Sequence, residues 1–173
     1  MLYHVRSRLA TVRRFSSLVS ASLADQLRKI RVYEPNGVQR EAISKALLSE
    51  DVLCVAQTGS GKTMCFLLPL LERLSASTSS PNIGLILAPT RELVMQHAGI
   101  AEELAAALPN SPEVKVISKG TTSPMTSVAS RAAGTSPVLL VAQPDDALAR
   151  LRDGTLDASS LLAVALDEVD AIL

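Results

Sequence analysis

The residues with the strongest chemical signature run Ala56-Gln57-Thr58-Gly59-Ser60-Gly61-Lys62-Thr63. Two glycines one residue apart let the backbone turn tightly and bring amide N–H groups close to an anion. In a loop between an apolar run and a helix, that geometry cradles a polyphosphate, and the helix N-terminus supplies positive potential. Lys62 then reaches the outer phosphates and the Thr63 hydroxyl ligates Mg²⁺. The loop opens on Ala56 where such loops usually have glycine, and a side chain that small still fits. A second chemical element is Asp167-Glu168, which follows the all-apolar run 161–166. At the end of a buried strand, Asp167 is expected to hold Mg²⁺, and Glu168 to orient or deprotonate the water that attacks a terminal phosphate. The candidate catalytic residues are therefore Lys62, Asp167 and Glu168, the candidate metal ligands are Thr63 and Asp167, and the implied cofactors are ATP and Mg²⁺.

These side chains need a scaffold that aims them at one place. Short Leu-, Ile- and Val-rich runs at 52–56, 83–88, 114–117, 138–142 and 161–166 suit strands buried on both faces, as in a parallel sheet. Helical stretches at about 61–74, 90–108, 123–133 and 144–152 alternate with them, and Pro69 is expected to kink the first. Strand-helix alternation with right-handed crossovers predicts a doubly wound α/β sandwich. Upstream, Ser22 followed by Leu23, Leu27 and Ile30 predicts a short capped helix, with Asp25 in the capping-box position. Pro35-Asn36-Gly37 is turn chemistry, and a second helix is expected from about Val38 to Leu48.

Composition narrows the class. Lysine plus arginine number 17 and aspartate plus glutamate 17, so no global basic field announces a nucleic-acid partner, and any such partner needs a local patch. Cys54 and Cys65 lack metal-ligand spacing and read as reduced structural thiols. No apolar stretch approaches the roughly 18–20 residues that span a bilayer, so no membrane insertion is expected. Residues 1–24 are set apart as a basic leader: Arg6, Arg8, Arg13 and Arg14 occur with several serines and no acid before Asp25. Arg-rich, Ser-rich, acid-poor and amphipathic composition is that of a mitochondrial targeting peptide. Arg13-Arg14-Phe15-Ser16 looks like a processing site, and a nuclear or cytoplasmic location is the alternative. Residues 25–173 are expected to form one domain.

Taken in order, the loop 56–63, Pro89-Thr90-Arg91-Glu92-Leu93 and Asp167-Glu168-Val169-Asp170 resemble the first RecA-like domain of a DEAD-box RNA helicase. The resemblance covers about residues 15–173. It implies a RecA-like three-layer sandwich with a mostly parallel central sheet, incomplete at its C-terminal end, and ATP hydrolysis coupled to RNA binding and unwinding. It also implies that Pro35-Asn36-Gly37-Val38-Gln39 corresponds to the family's adenine-sensing motif. Gln39 would then pair with the adenine edge, since a carboxamide offers a donor and an acceptor side by side. Tyr33 or Phe15 would stack on the base, although Phe15 cannot do so if processing removes it. Pro89, Thr90, Arg91 and Gly120 would contact single-stranded or short duplex RNA, chiefly at phosphates, which positions the strand without reading sequence.

The chain also departs from that family. Only one glycine of the family's Gly-Gly motif remains, within Lys119-Gly120-Thr121. Gln143-Pro144-Asp145-Asp146 puts two carboxylates where the family has a glycine and a phosphate-binding arginine. These acids suit a helix N-terminus but repel RNA phosphates, so weakened RNA affinity is expected. The sequence ends three residues after Asp170, before the family's Ser-Ala-Thr motif and second RecA-like domain. That domain supplies an arginine finger, and such a finger is worth about 10³–10⁵ in rate. The 173-residue polypeptide is thus expected to bind Mg·ATP weakly, hydrolyse it very slowly and unwind nothing, with an exposed apolar flank on strand 161–166. Two other readings stay open: a non-catalytic interaction module, or a different P-loop NTPase.

Overall fold

The structure is a computed structural model that describes residues 14–57, 59–77, 82–118 and 137–172. The chain divides into two compact units, Met1–Pro69 and Leu70–Leu173.

In the first unit, a 3-10 turn at Phe15–Ser17 packs against helix α1, Ala21–Lys29. Phe15 is 1% exposed and belongs to the core with Leu23, Leu27 and Ile43. Residues 15–24, inside the span drawn as leader, are therefore folded here. The cap of α1 is Ser20, whose Oγ accepts the N–H of Leu23, two residues before the expected Ser22. Helix α2, Gly37–Leu47, begins in a capping box. The Asn36 Oδ1 accepts the Gln39 N–H at 2.9 Å, and the Gln39 Oε1 accepts the Asn36 N–H at 3.0 Å. Two otherwise orphaned donors at the helix start are thereby satisfied reciprocally. Helix α3, Lys62–Ala76, continues through Pro69 and crosses from one unit into the other.

Residues 52–56, expected as a buried strand, form none. They pair with no ladder among the described residues, and Leu53 and Val55 are 82% and 86% exposed. An apolar run specifies what a strand would bury, but a strand also needs a neighbour for its N–H and C=O groups.

The second unit holds β1 (Ile83–Leu87), α4 (Arg91–Ala105), β2 (Glu113–Ile117), β3 (Val138–Ala142), α5 (Pro144–Arg152), β4 (Leu161–Leu166) and α6 (Val169–Ile172). The four strands form one parallel sheet in the order β2-β3-β1-β4. Alternate residues point to opposite faces. Ile83, Leu85, Val138 and Leu140 join a core with Ala147 and Leu151 of α5. On the other face, Gly84 makes room for α3: a Cβ there would lie 2.9 Å from Leu74 Cδ1 and 3.0 Å from Leu70 Cδ1. Helices thus cover both faces of the sheet, which is the expected layer sandwich. The expected helix at 123–133 lies outside the described residues. Strand β4, at the sheet edge, pairs only with β1 among the described residues, and Val164 and Leu166 are 50% and 46% exposed.

Candidate functional site

The polyphosphate loop belongs to the first unit. Gly59 and Gly61 take φ values of +80° and +75°, a left-handed conformation that favours glycine. Nothing lies within 4 Å of a Cβ built on Gly59, so the backbone there is open to a close approach. A Cβ on Gly61 would sit 2.5 Å from the Gln39 Nε2, because Gln39 is clamped onto the loop. Its Nε2 donates to the Gly61 carbonyl at 3.1 Å, and the Asn36 Nδ2 donates to the Ser60 carbonyl at 2.8 Å. The same two residues that cap α2 therefore hold the phosphate loop in shape.

Gln39 is 7% exposed and already uses its oxygen and one N–H inside the protein. The carboxamide predicted to meet adenine thus serves the loop in this structure, with one N–H and one lone pair remaining. Tyr33 is 60% exposed, whereas Phe15 is core. The two candidate stacking residues therefore differ: Tyr33 is open to solvent and Phe15 is enclosed.

Lys62 donates from Nζ to the carbonyls of Ala56 and Gln57 at 2.7 and 3.2 Å, bridging the mouth of the loop. Ser60 Oγ is buried with no hydrogen-bond partner among the described residues. Open glycine backbone, a bridging ammonium and an orphaned hydroxyl are the donors a polyphosphate needs, so the residues present fit that group. Thr58 lies outside the described residues. Thr63 is the second residue of α3, directly after Lys62. One turn further, burial pushes the Cys65 thiol up to about 12, and the neighbouring Cys54 adds to the shift. Neither cysteine is in a disulfide.

The acidic pair belongs to the second unit. Leu87, Ala142 and Leu166 are in register at the carboxyl ends of β1, β3 and β4. The segments that follow, Pro89-Thr90, Gln143-Pro144 and Asp167-Glu168, therefore gather along one edge of the parallel sheet, where ligands bind in open α/β folds. The Asp167 N–H donates to the Leu87 carbonyl at 2.9 Å, and the Gln143 Nε2 donates to the Pro89 carbonyl at 3.0 Å. Glu168 adopts φ +50°, a left-handed conformation that is uncommon for a residue with a side chain. Its N–H donates to the Asp167 Oδ1 at 3.0 Å. The other carboxylate oxygen, Oδ2, lies 2.8 Å from Nε2 of His97 on α4, whose side chain is 1% exposed. No spacing in the sequence links His97 to Asp167, 70 positions away. The one signal at His97 was a polar residue in the buried stripe Val94, Ala98, Ala101 and Leu104.

Thr90 caps α4 by accepting the Leu93 N–H at 3.3 Å. Arg91 lines a cleft of about 360 Å³ together with Pro89, Ser118, Gln143, Pro144, Asp145, Asp146, Ala171 and Ile172. The two acids that depart from the family's pattern thus share a cleft with the arginine expected to hold RNA phosphates. Gly120 lies outside the described residues.

Comparison with known proteins agrees with this arrangement. The family model for DEAD/DEAH box helicase matches residues 36–173. The ATP-dependent RNA helicase DeaD of Escherichia coli is 37% identical over 155 residues, covering 90% of this chain and 24% of its own length. The ATP-dependent RNA helicase HAS1 of Gibberella zeae is 35% identical over 139 residues, covering 79% of this chain and 23% of its own. The chain therefore spans about a quarter of the length of these curated relatives. Among solved structures, a DEAD box protein from the hyperthermophile Methanococcus jannaschii superposes with a TM-score of 0.75 at 27% identity, over 92% of this chain and 42% of that one. An S. cerevisiae Dbp5 variant bound to RNA and ADP BeF3 shares the fold, with a TM-score of 0.71 at 22% identity over 91% of this chain and 39% of its own. With the glycine loop, the acidic strand end and the parallel sheet in place, the chain belongs to the DEAD/DEAH box helicase family.

Proposed function

We propose that these residues form the ATP-binding part of an ATP-dependent RNA helicase. The observation that carries the reading is the loop 56–63, with Gly59 and Gly61 at positive φ and the Asn36–Gln39 box bonded to its carbonyls. The hydrogen bonds from Asn36 and Gln39 fix the Ser60 and Gly61 carbonyls, and ordering held within the protein need not be supplied by the ligand. Amides around Gly59 and Gly61 bind the phosphates, Lys62 exchanges the Ala56 and Gln57 carbonyls for phosphate oxygens, and Ser60 Oγ gains a partner. Thr63 in the first unit and Asp167 in the second each have the chemistry of a Mg²⁺ ligand, and the ion when bound would offset the charge of the phosphates. Glu168 orients the attacking water and accepts its proton. Gln39 and Tyr33 face the base, and Pro89, Thr90 and Arg91 take the RNA backbone.

Relatives named as RNA helicases support the substrate class. Residues preceding Phe15 direct the protein to mitochondria, a reading supported by their acid-poor, arginine-rich composition. Fusing residues 1–14 to a fluorescent reporter tests this, and a cytosolic reporter contradicts it.

Calorimetric titration of the chain with ATP and with GTP, each with MgCl₂, tests the main reading. Preference for ATP supports it, and equal affinity contradicts the adenine role of Gln39. A second reading, a non-catalytic interaction module, is favoured by Asp145 and Asp146 in the cleft beside Arg91. It requires failure to bind ATP at all alongside retained binding of a protein partner.

A further inference from the structure

Strand β4 ends on Asp167, and its carboxylate is fixed from two directions. Oδ1 accepts the backbone N–H of Glu168 at 3.0 Å, and Oδ2 is 2.8 Å from Nε2 of His97, seventy positions away in sequence. His97 is itself held: it lies in the buried stripe of α4, between Val94 and Ala98, and α4 packs on β2 and β3. The Asp167 side chain is 14% exposed, so the carboxylate reaches solvent while its orientation is set from beneath. Each carboxylate oxygen has room for two partners. One donor at each leaves the outward lone pairs for a cation.

A ligating carboxylate that must be ordered at the moment of binding loses affinity to that ordering. One already anchored by hydrogen bonds does not, and such outer partners are typically worth 10–100-fold in metal affinity. We propose that His97 is a positioning residue that holds the Asp167 carboxylate ready for a divalent cation. The proposal rests on the reading of Asp167 as the Mg²⁺ ligand.

The test uses the full 173-residue chain and calorimetric ATP titrations in MgCl₂ and in EDTA. The ratio of the two affinities isolates the metal's contribution from the fold's. In His97→Leu the Mg²⁺-dependent gain falls by about tenfold, the EDTA affinity holds, and His97→Gln, which keeps an N–H donor, restores most of the gain. In an Asp167→Asn background, His97→Leu changes the ratio no further. A full Mg²⁺-dependent gain in His97→Leu, with that gain lost in Asp167→Asn, overturns the proposal while leaving Asp167 as the ligand. A gain that survives Asp167→Asn overturns the metal-ligand reading and the proposal with it.

A measurement on the unmutated chain covers the case in which His97→Leu does not fold. The chain contains only two histidines, His4 and His97, so ¹⁵N spectra carry two imidazoles, and His4→Gln assigns them. Adding Mg²⁺ to the ATP-bound chain shifts the His97 Nε2 resonance. An unmoved resonance under saturating Mg²⁺ contradicts the proposal.

Discussion

The Gln39 side chain donates to the carbonyl of Gly61 at 3.1 Å, tying the start of α2 to the phosphate loop. A helix cap and a ligand loop thereby become one rigid piece, since Gln39 also closes the capping box with Asn36. Gln39→Ala removes both bonds. ATP affinity is expected to fall by about tenfold, or about 1.4 kcal/mol. Helix content, followed by circular dichroism, is expected to change little, because α2 keeps the Asn36 cap. Unchanged ATP affinity would show that the loop holds its shape unaided.

Gly61→Ala is the more severe change at the same contact. It forces a Cβ into a φ of +75° and to within 2.5 Å of the Gln39 Nε2. Displacing Gln39 relieves the second problem only by breaking its hydrogen bond to the loop, and the backbone strain stays. Calorimetry is expected to show a greater loss of ATP affinity than for Gln39→Ala. A smaller loss would refute the clamp.

Gly84→Ala tests the packing of α3 on the sheet. The added methyl would meet Leu74, Leu70 and Leu139 Cδ1 atoms at 2.9, 3.0 and 3.1 Å. All three leucines are buried, so they have little space to yield. A loss of about 1–3 kcal/mol is expected, read as a lower urea midpoint with unchanged slope. A midpoint equal to that of the unmutated chain would mean that α3 stands further from β1.

Burial pushes the Cys65 thiol from 9.0 up to about 12, aided by Cys54 and opposed by the Lys62 ammonium. A raised thiol pKa keeps the protonated, unreactive form through the ordinary pH range, and the thiolate appears only as pH climbs toward the shifted value. At pH 8, iodoacetamide is expected to label the half-exposed Cys54 well before Cys65, as read by peptide mass spectrometry. Equal labelling of both in the folded chain would contradict that burial.

The cleft residues yield a prediction for RNA. Asp145 and Asp146 share their cleft with Arg91, so an incoming phosphate meets both repulsion and attraction. Combining Asp145→Gly with Asp146→Arg is expected to tighten single-stranded RNA binding by tenfold or more. It should also steepen the dependence on salt by about one phosphate contact. Asp146 is 8% exposed, so circular dichroism must accompany the measurement. A folded double variant with unchanged RNA affinity would remove the acids from the account.

Much of this was legible from the order of residues. The runs 83–88, 114–117, 138–142 and 161–166 became strands, because Leu-, Ile- and Val-rich segments of that length can be buried on both faces of a parallel sheet. Run 52–56 looked the same and became an exposed segment, since strand formation belongs to a pair of segments and one sequence window shows only half of the pair. The spacing Asn36-Gly37-Val38-Gln39 also carries a capping box, which an Asn three residues before a Gln can form wherever a helix begins. His97 was hidden for a different reason. Its partner is distant in sequence, and only the packing of α4 on the sheet brings the imidazole to Asp167.

The central claim is that the loop from Ala56 to Thr63 wraps a triphosphate with Lys62 above it. Calorimetric titration of ATP with MgCl₂ into the unmutated chain and into Lys62→Ala tests it most directly. Lys62 donates to the Ala56 and Gln57 carbonyls of its own loop at 2.7 and 3.2 Å, so its loss is expected to leave the fold intact. The account predicts at least a tenfold loss of affinity in Lys62→Ala, about 1.4 kcal/mol, with unchanged thermal stability. Equal ATP affinity in the two proteins would contradict it.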